Sequence, residues 1–151
     1  MLQITFGNQI LVFSVLSWFL AQVTKGVIQL VTEGKITLRR VLASGGMPSS
    51  HSAMVSCCAA TTGILYGFDS SMFAIACVLA IVVMYDACNV RRQSGEQAKV
   101  INLILQNWNN MTPELQALQL KVLLGHTPLQ VFFGAVIGIV VAIVGTHFIA
   151  V

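Results

Sequence analysis

Charge is the scarcest property of this sequence. Aspartate, glutamate, lysine and arginine make up 9% of its 151 residues, where a soluble domain carries about 25%. Hydrophobic residues make up 56% and the mean hydropathy is +0.84. A water-soluble domain is therefore excluded, and one polytopic membrane domain over residues 1–151 is expected. The net charge of +3 is too small to suggest a nucleic-acid partner. The four cysteines, Cys57, Cys58, Cys77 and Cys88, fall in apolar stretches with no CxxC and no paired framework. They read as small buried hydrophobes, implying neither disulfide nor zinc. No His, Cys, Asp and Glu cluster has zinc or calcium spacing, so neither a metal nor a cofactor is expected. The N-terminus also lacks a basic n-region and a small-residue cleavage site, so the first apolar stretch is expected to be a retained span.

Apolar runs are plentiful. A bilayer core about 30 Å thick needs about 20 helical residues. Residues from about Ile4 to Val31 meet this, and further spans are predicted near Ser50–Phe68, Met72–Val90 and Thr127–Phe148. The fold expected is an all-α bundle of about four transmembrane helices. Ser52, Ser56, Ala59, Gly63 and Gly67 form a small-residue stripe on the second span, and Gly134, Gly138 and Ala142 form another on the last. Such seams let helix backbones approach closely. Ser94 and Gln97 have capping-box spacing, which predicts a helix start there. Val100, Ile101, Ile104, Leu105 and Trp108 then recur at helical period, as in an amphipathic helix lying in the membrane interface. Thr112-Pro113 predicts a second short helix ending near Gly125.

Lys35, Arg39, Arg40, Arg91, Arg92, Lys99 and Lys121 all lie in the first or third connection, whereas the second offers only Asp69. The positive-inside bias places the first and third connections in the cytoplasm and both termini outside. Lys25 interrupts the first span about two turns before its end. It is either a lysine snorkelling to the interface or a cation facing a polar cavity.

The chain is organised around residues 45–53, Gly-Gly-Met-Pro-Ser-Ser-His-Ser-Ala. Two glycines free the backbone for an unusual turn. Pro48 fits the first turn of a helix, and Ser49 and Ser50 are natural caps. His51 then enters the first turn, where bare backbone N–H groups favour an anion. An ordinary helix start with a polar cap would use the same residues. His126 sits in a similar place, beside Thr127 and Pro128 at the start of the last span, on the same predicted membrane face. Arg91 and Arg92 leave the third span on that face as well. Two imidazoles, two guanidiniums and two helix N-termini suit a phosphoryl group. Arginine grips phosphate oxygens, and histidine can attack phosphorus or protonate a leaving oxygen. Asp86, five residues before Arg91, is expected to pair with an arginine. The alternative is that it holds a histidine Nδ1–H. Gln130, one turn after His126, could also orient that ring. His147, at the far end of the last span, is expected to be incidental.

Three blocks carry a resemblance: residues 45–53, Tyr-Asp-Ala-x-x-Val-Arg-Arg at 85–92, and Leu-Gly-His-Thr-Pro-x-Gln-Val at 124–131. Together they resemble the divergent small-protein branch of the type 2 phosphatidic acid phosphatase and vanadium haloperoxidase superfamily, over about Lys25 to Gly138. The resemblance implies a metal-free phosphatase with a phosphohistidine intermediate. His126 would be the nucleophile and His51 the general acid. Lys25, Arg91 and Arg92 would hold the phosphate, helped by Ser49 and Ser50. The chain departs from the family pattern in that Ser50 replaces the motif glycine and no Lys-x6-Arg-Pro motif exists. Lys25, Lys35, Arg39 and Arg40 compete for that motif's role. Arg92 and His126 are far apart in sequence, and Gln130 stands where an aspartate would be. Four spans against the family's usual six leave room for a homodimer.

Two functions follow as expectations. One is a lipid-phosphate monoesterase at the cytoplasmic leaflet of a bacterial inner membrane, with phosphatidylglycerophosphate or phosphatidate as the implied substrates. Undecaprenyl pyrophosphate is handled on the outer face, against the predicted orientation. The other is a catalytically silent protein that binds a phospholipid or anion. A transporter finds little support, because four spans show no visible repeat.

Overall fold

The computed structural model describes residues 7–35, 46–107 and 125–149. Among these the secondary structure is helical throughout: α1 Gln9–Glu33, α2 Ser50–Tyr66, α3 Ser71–Cys88, α4 Val90–Asn107 and α5 Pro128–Ile149. The first residues of the first expected span, Arg39 and Arg40, Trp108, and the short helix expected after Thr112 lie outside the described residues.

α2 is the centre of the bundle, packed against α1, α3 and α5. Its sequence explains why. Ser52, Ala53, Ser56, Cys57, Ala59, Thr61, Thr62 and Gly63 are buried on it, and small side chains bring three neighbours close. The largest of these approaches is to α5. A methyl group on Gly134 would overlap the Ser49 carbonyl oxygen, and one on Gly138 would overlap that of Ala53. Farther along the same seam Ala142, Cys57 and Phe13 form a buried cluster. Ala59, Ala76 and Ala80 form a second cluster between α2 and α3. On the α1 side, the Ser17 hydroxyl donates to the Ala53 carbonyl at 3.1 Å.

The large apolar side chains point the other way. Ile75, Val78, Ile81, Val82, Phe132 and Ile143 are all exposed. A core of small residues with aliphatics outside is what lipid as solvent requires. Among the described residues, three helical stretches are long and apolar enough to cross a membrane: α1, the α3–α4 run and α5. The predicted second span, α2, is shorter and richer in hydroxyls. Its 17 residues cover about 25 Å, and its neighbours rather than lipid cover its polar groups.

Boundaries depart from expectation at two places. Pro48 precedes the helix instead of opening it. Ser49 is the N-cap, its hydroxyl accepting from the Ser52 N–H at 3.3 Å. α4 starts at Val90 rather than Ser94, and the Ser94 hydroxyl donates to the Val90 carbonyl inside the helix. Only Asn89 separates α3 from α4, so Arg91 and Arg92 belong to a first helical turn and not to a loop. α4 touches the bundle only through α3 among the described helices. Val100, Ile101, Leu103 and Ile104 stand exposed on it.

Candidate active site

The cap of α5 builds the environment of His126. The Thr127 hydroxyl accepts from the Gln130 N–H at 3.4 Å, and Gln130 Oε1 accepts from the Thr127 N–H at 3.2 Å. This is a Thr-x-x-Gln capping box, a spacing visible in the sequence that the reading of this stretch missed. The same Oε1 lies 3.2 Å from His126 Nδ1. A backbone N–H can only donate, so the amide atom facing it is the oxygen. Nδ1 then carries the proton, and the neutral ring keeps its lone pair on Nε2.

His126 is 3% exposed. Burial pushes its pKa below the ordinary imidazole value. The Lys25 charge and the His51 ring act in the same sense, while the Gln130 contact and the Gly46 backbone oppose them. Its own N–H donates to the Ala87 carbonyl at 3.0 Å, one of the last carbonyls of α3. The Ser49 N–H donates to the Gln130 carbonyl at 3.0 Å. The start of α2 and the start of α5 are thereby joined by backbone.

Lys25 is buried, as a lysine snorkelling to the interface would not be. It is 6% exposed on the inward face of α1, with Ser14, Ser17 and Ala21. Gly46, with φ of +81°, lies along its stem: a methyl group there would sit 3.6 Å from Lys25 Cδ. That left-handed backbone suits glycine. The Lys25 charge acts on both histidine rings.

His51 occupies the first turn of α2 and is exposed. Arg91, Lys25 and Asp86 all lie within electrostatic reach of its ring. Asp86 accepts from Arg91 Nε at 2.6 Å. The pair is half exposed, with side chains at 36% and 51% respectively, and so contributes about 0–1 kcal/mol to stability. It uses one of the five N–H donors of the guanidinium.

Other expected site residues fall elsewhere. Ser49 is fully buried, and its hydroxyl also accepts from Ser52 Oγ at 2.9 Å. It caps the start of α2 and is closed to solvent. Ser50 is buried too. Arg92 faces a separate hollow of about 440 Å³ with Cys88, Asn89, Gln93, Glu96 and Gln97. His147, at the opposite end of α5, stacks edge-on with Phe148 at 5.6 Å. Among the described residues, no three His, Cys, Asp or Glu side chains gather where they could hold a metal ion. The structure thus gathers Lys25, His51, Asp86, Arg91, His126 and Gln130, and leaves Arg92 and the Ser49 hydroxyl apart.

Residues 6–141 match the family described as the Divergent PAP2 family. A relative, the Uncharacterized membrane protein YuiD of Bacillus subtilis (strain 168), is 40% identical over 138 residues, which cover 85% of this chain and 87% of that protein. No solved structure matches the chain. The family match runs through the Ser49–His51 turn, the Asp86–Arg92 junction and the Gly125–Gln130 cap alike, and the chain, an integral membrane protein, belongs to the divergent PAP2 family.

Proposed function

We propose that this protein is a lipid-phosphate phosphohydrolase working through a phosphohistidine at the cytoplasmic leaflet, on a monoester such as phosphatidate or phosphatidylglycerophosphate. The observation that carries the reading is the Gln130 oxygen shared by the Thr127 N–H and His126 Nδ1, which leaves a lone pair on Nε2. In the first step Nε2 attacks phosphorus and the bond to the lipid oxygen breaks. His51 gives that oxygen its proton. Lys25 and the remaining Arg91 donors hold the non-bridging oxygens as charge builds on them. In the second step the water oxygen attacks phosphorus and passes one proton to His51 while the P–N bond breaks and Nε2 leaves with its electron pair. Phosphate and the resting enzyme result.

The test is phosphate release from short-chain lipid phosphates by the purified protein in detergent. His126→Ala should abolish turnover of both a lipid phosphate and p-nitrophenyl phosphate. His51→Ala should slow the lipid phosphate by about 10²–10⁴-fold, the range for general acid catalysis. It should impair the aryl phosphate far less, because p-nitrophenolate leaves without a proton. Equal losses on both substrates would remove the acid role of His51. Full activity of His126→Ala would remove the mechanism.

A second reading is a protein that binds a lipid phosphate without turnover. It is favoured by one observation: the neutral Gln130 faces His126, while Asp86 is committed to Arg91. An amide stabilises the imidazolium less than a carboxylate does. Vanadate binding without hydrolysis of any phosphomonoester would select this reading.

A further inference from the structure

Gly125 lies flat on the turn between α3 and α4. A methyl group added to it would overlap the Arg92 backbone nitrogen and would come within 2.9 Å of both the Ala87 carbonyl oxygen and the Arg91 carbonyl carbon. All three obstacles are backbone, so no rotamer change clears them. The next residue, His126, donates its N–H to that same Ala87 carbonyl at 3.0 Å. The junction that receives Gly125 also carries the Asp86–Arg91 pair. The backbone that carries the His126 ring therefore lies directly against the junction that carries the Arg91 guanidinium, far from it in sequence. That contact exists only because residue 125 has no side chain.

We infer that Gly125 is a positioning residue for phosphoryl transfer: its close approach to the α3–α4 turn sets His126 against Arg91. The inference rests on the phosphatase reading for its kinetic consequence and on geometry alone for the contact. Any side chain at 125 must lift the 125–126 peptide from the turn and carry the His126 backbone with it. A misplacement of about 1 Å at a reacting group lowers the rate by about 10²-fold. Lys25 lies on another helix and keeps its hold on the substrate.

The test compares Gly125→Ala with wild type in detergent, after both are shown to be monodisperse and equally helical. The expected result is a fall in kcat of about 10²-fold on lipid and aryl phosphates alike, with KM changed far less. Partial unfolding would produce the same split, so kcat is counted per mole of folded protein and the His126 titration midpoint is read beside it. A second perturbation approaches the contact from the other side. Proline is tolerated in the first turn of a helix, and its ring at residue 92 would occupy the face that Gly125 packs on. Arg92→Pro should therefore be at least tenfold slower than Arg92→Ala. A monodisperse Gly125→Ala within twofold of wild-type kcat overturns the inference. So does an Arg92→Pro equal to Arg92→Ala, including where Gly125→Ala does not fold. If wild type hydrolyses no phosphomonoester, the phosphatase reading fails but the contact is still read by imidazole ¹⁵N resonances. Gly125→Ala should then raise the His126 titration midpoint towards the ordinary imidazole value, and an unmoved midpoint overturns the inference.

Discussion

The Oε1 atom of Gln130 serves a helix cap and a histidine at once, and this couples stability to chemistry at a single side chain. Gln130→Ala removes the reciprocal half of the capping box together with the partner of His126 Nδ1. Gln130→Glu keeps both contacts and adds a charge, so the two substitutions separate geometry from electrostatics. The pH dependence gives the sign. Burial depresses the His126 pKa, and only the neutral ring is nucleophilic. Activity is therefore expected to hold as pH falls through 6.5, the ordinary imidazole value, and to drop below it. A carboxylate at residue 130 favours the charged ring, so Gln130→Glu should move the acid limb of kcat/KM upward. An acid limb at or above the ordinary value in wild type, or a downward move in Gln130→Glu, would contradict this account of the site.

Both histidines lie at the starts of α2 and α5, and the spacing of these two helices is set farther along their seam. Gly134 and Gly138 touch the Ser49 and Ala53 carbonyls of α2, so the starts of the two helices stay close. Gly138→Val is expected to destabilise the protein by about 1–3 kcal/mol through overpacking, measured by unfolding in mixed detergent. It should also lower activity, although residue 138 is about three turns from His126. This seam was legible in the sequence, because Gly134, Gly138 and Ala142 recur at a four-residue interval. So was the Asp86–Arg91 pair, from its short spacing. The start of α4 was not: Ser94 and Gln97 mimic a capping box, but the α3 helix resumes after a single residue and leaves them inside it. Gly125 read as a helix terminator, since nothing local signals that the α3–α4 backbone will press against it. Arg91 and Arg92 look equivalent in sequence. Successive residues on a helix face different ways: Arg91 lies within electrostatic reach of His51, while Arg92 lines the separate hollow.

At the scale of the whole molecule, the site draws on α1, α2, the α3–α4 junction and α5, and among the described residues it gathers no set of metal ligands. The proposed phosphohistidine route takes no step through a metal, so hydrolysis is expected to survive EDTA and to be blocked by vanadate, which mimics the pentacoordinate transition state. Loss in EDTA with restoration by magnesium would overturn that expectation. Apolar runs announced all four spans, and α2 is the exception only in its shorter length and in its hydroxyls, which are sheltered by its neighbours. That exception decides a question of parity. Counting only stretches long and apolar enough to cross a bilayer unaided gives three among the described residues, and an odd count sends the ends of a chain to opposite sides. Counting the sheltered α2 makes the number even, so Asn8 and Phe148 should face the same compartment. Maleimide labelling of Asn8→Cys and Phe148→Cys, in a background lacking the native cysteines, should mark both from the side that marks Asp69→Cys. Gln97→Cys should be marked only from the other. Opposite labelling of Asn8→Cys and Phe148→Cys would mean that the helix bearing His51 never crosses, and the two histidines would then have no common shore.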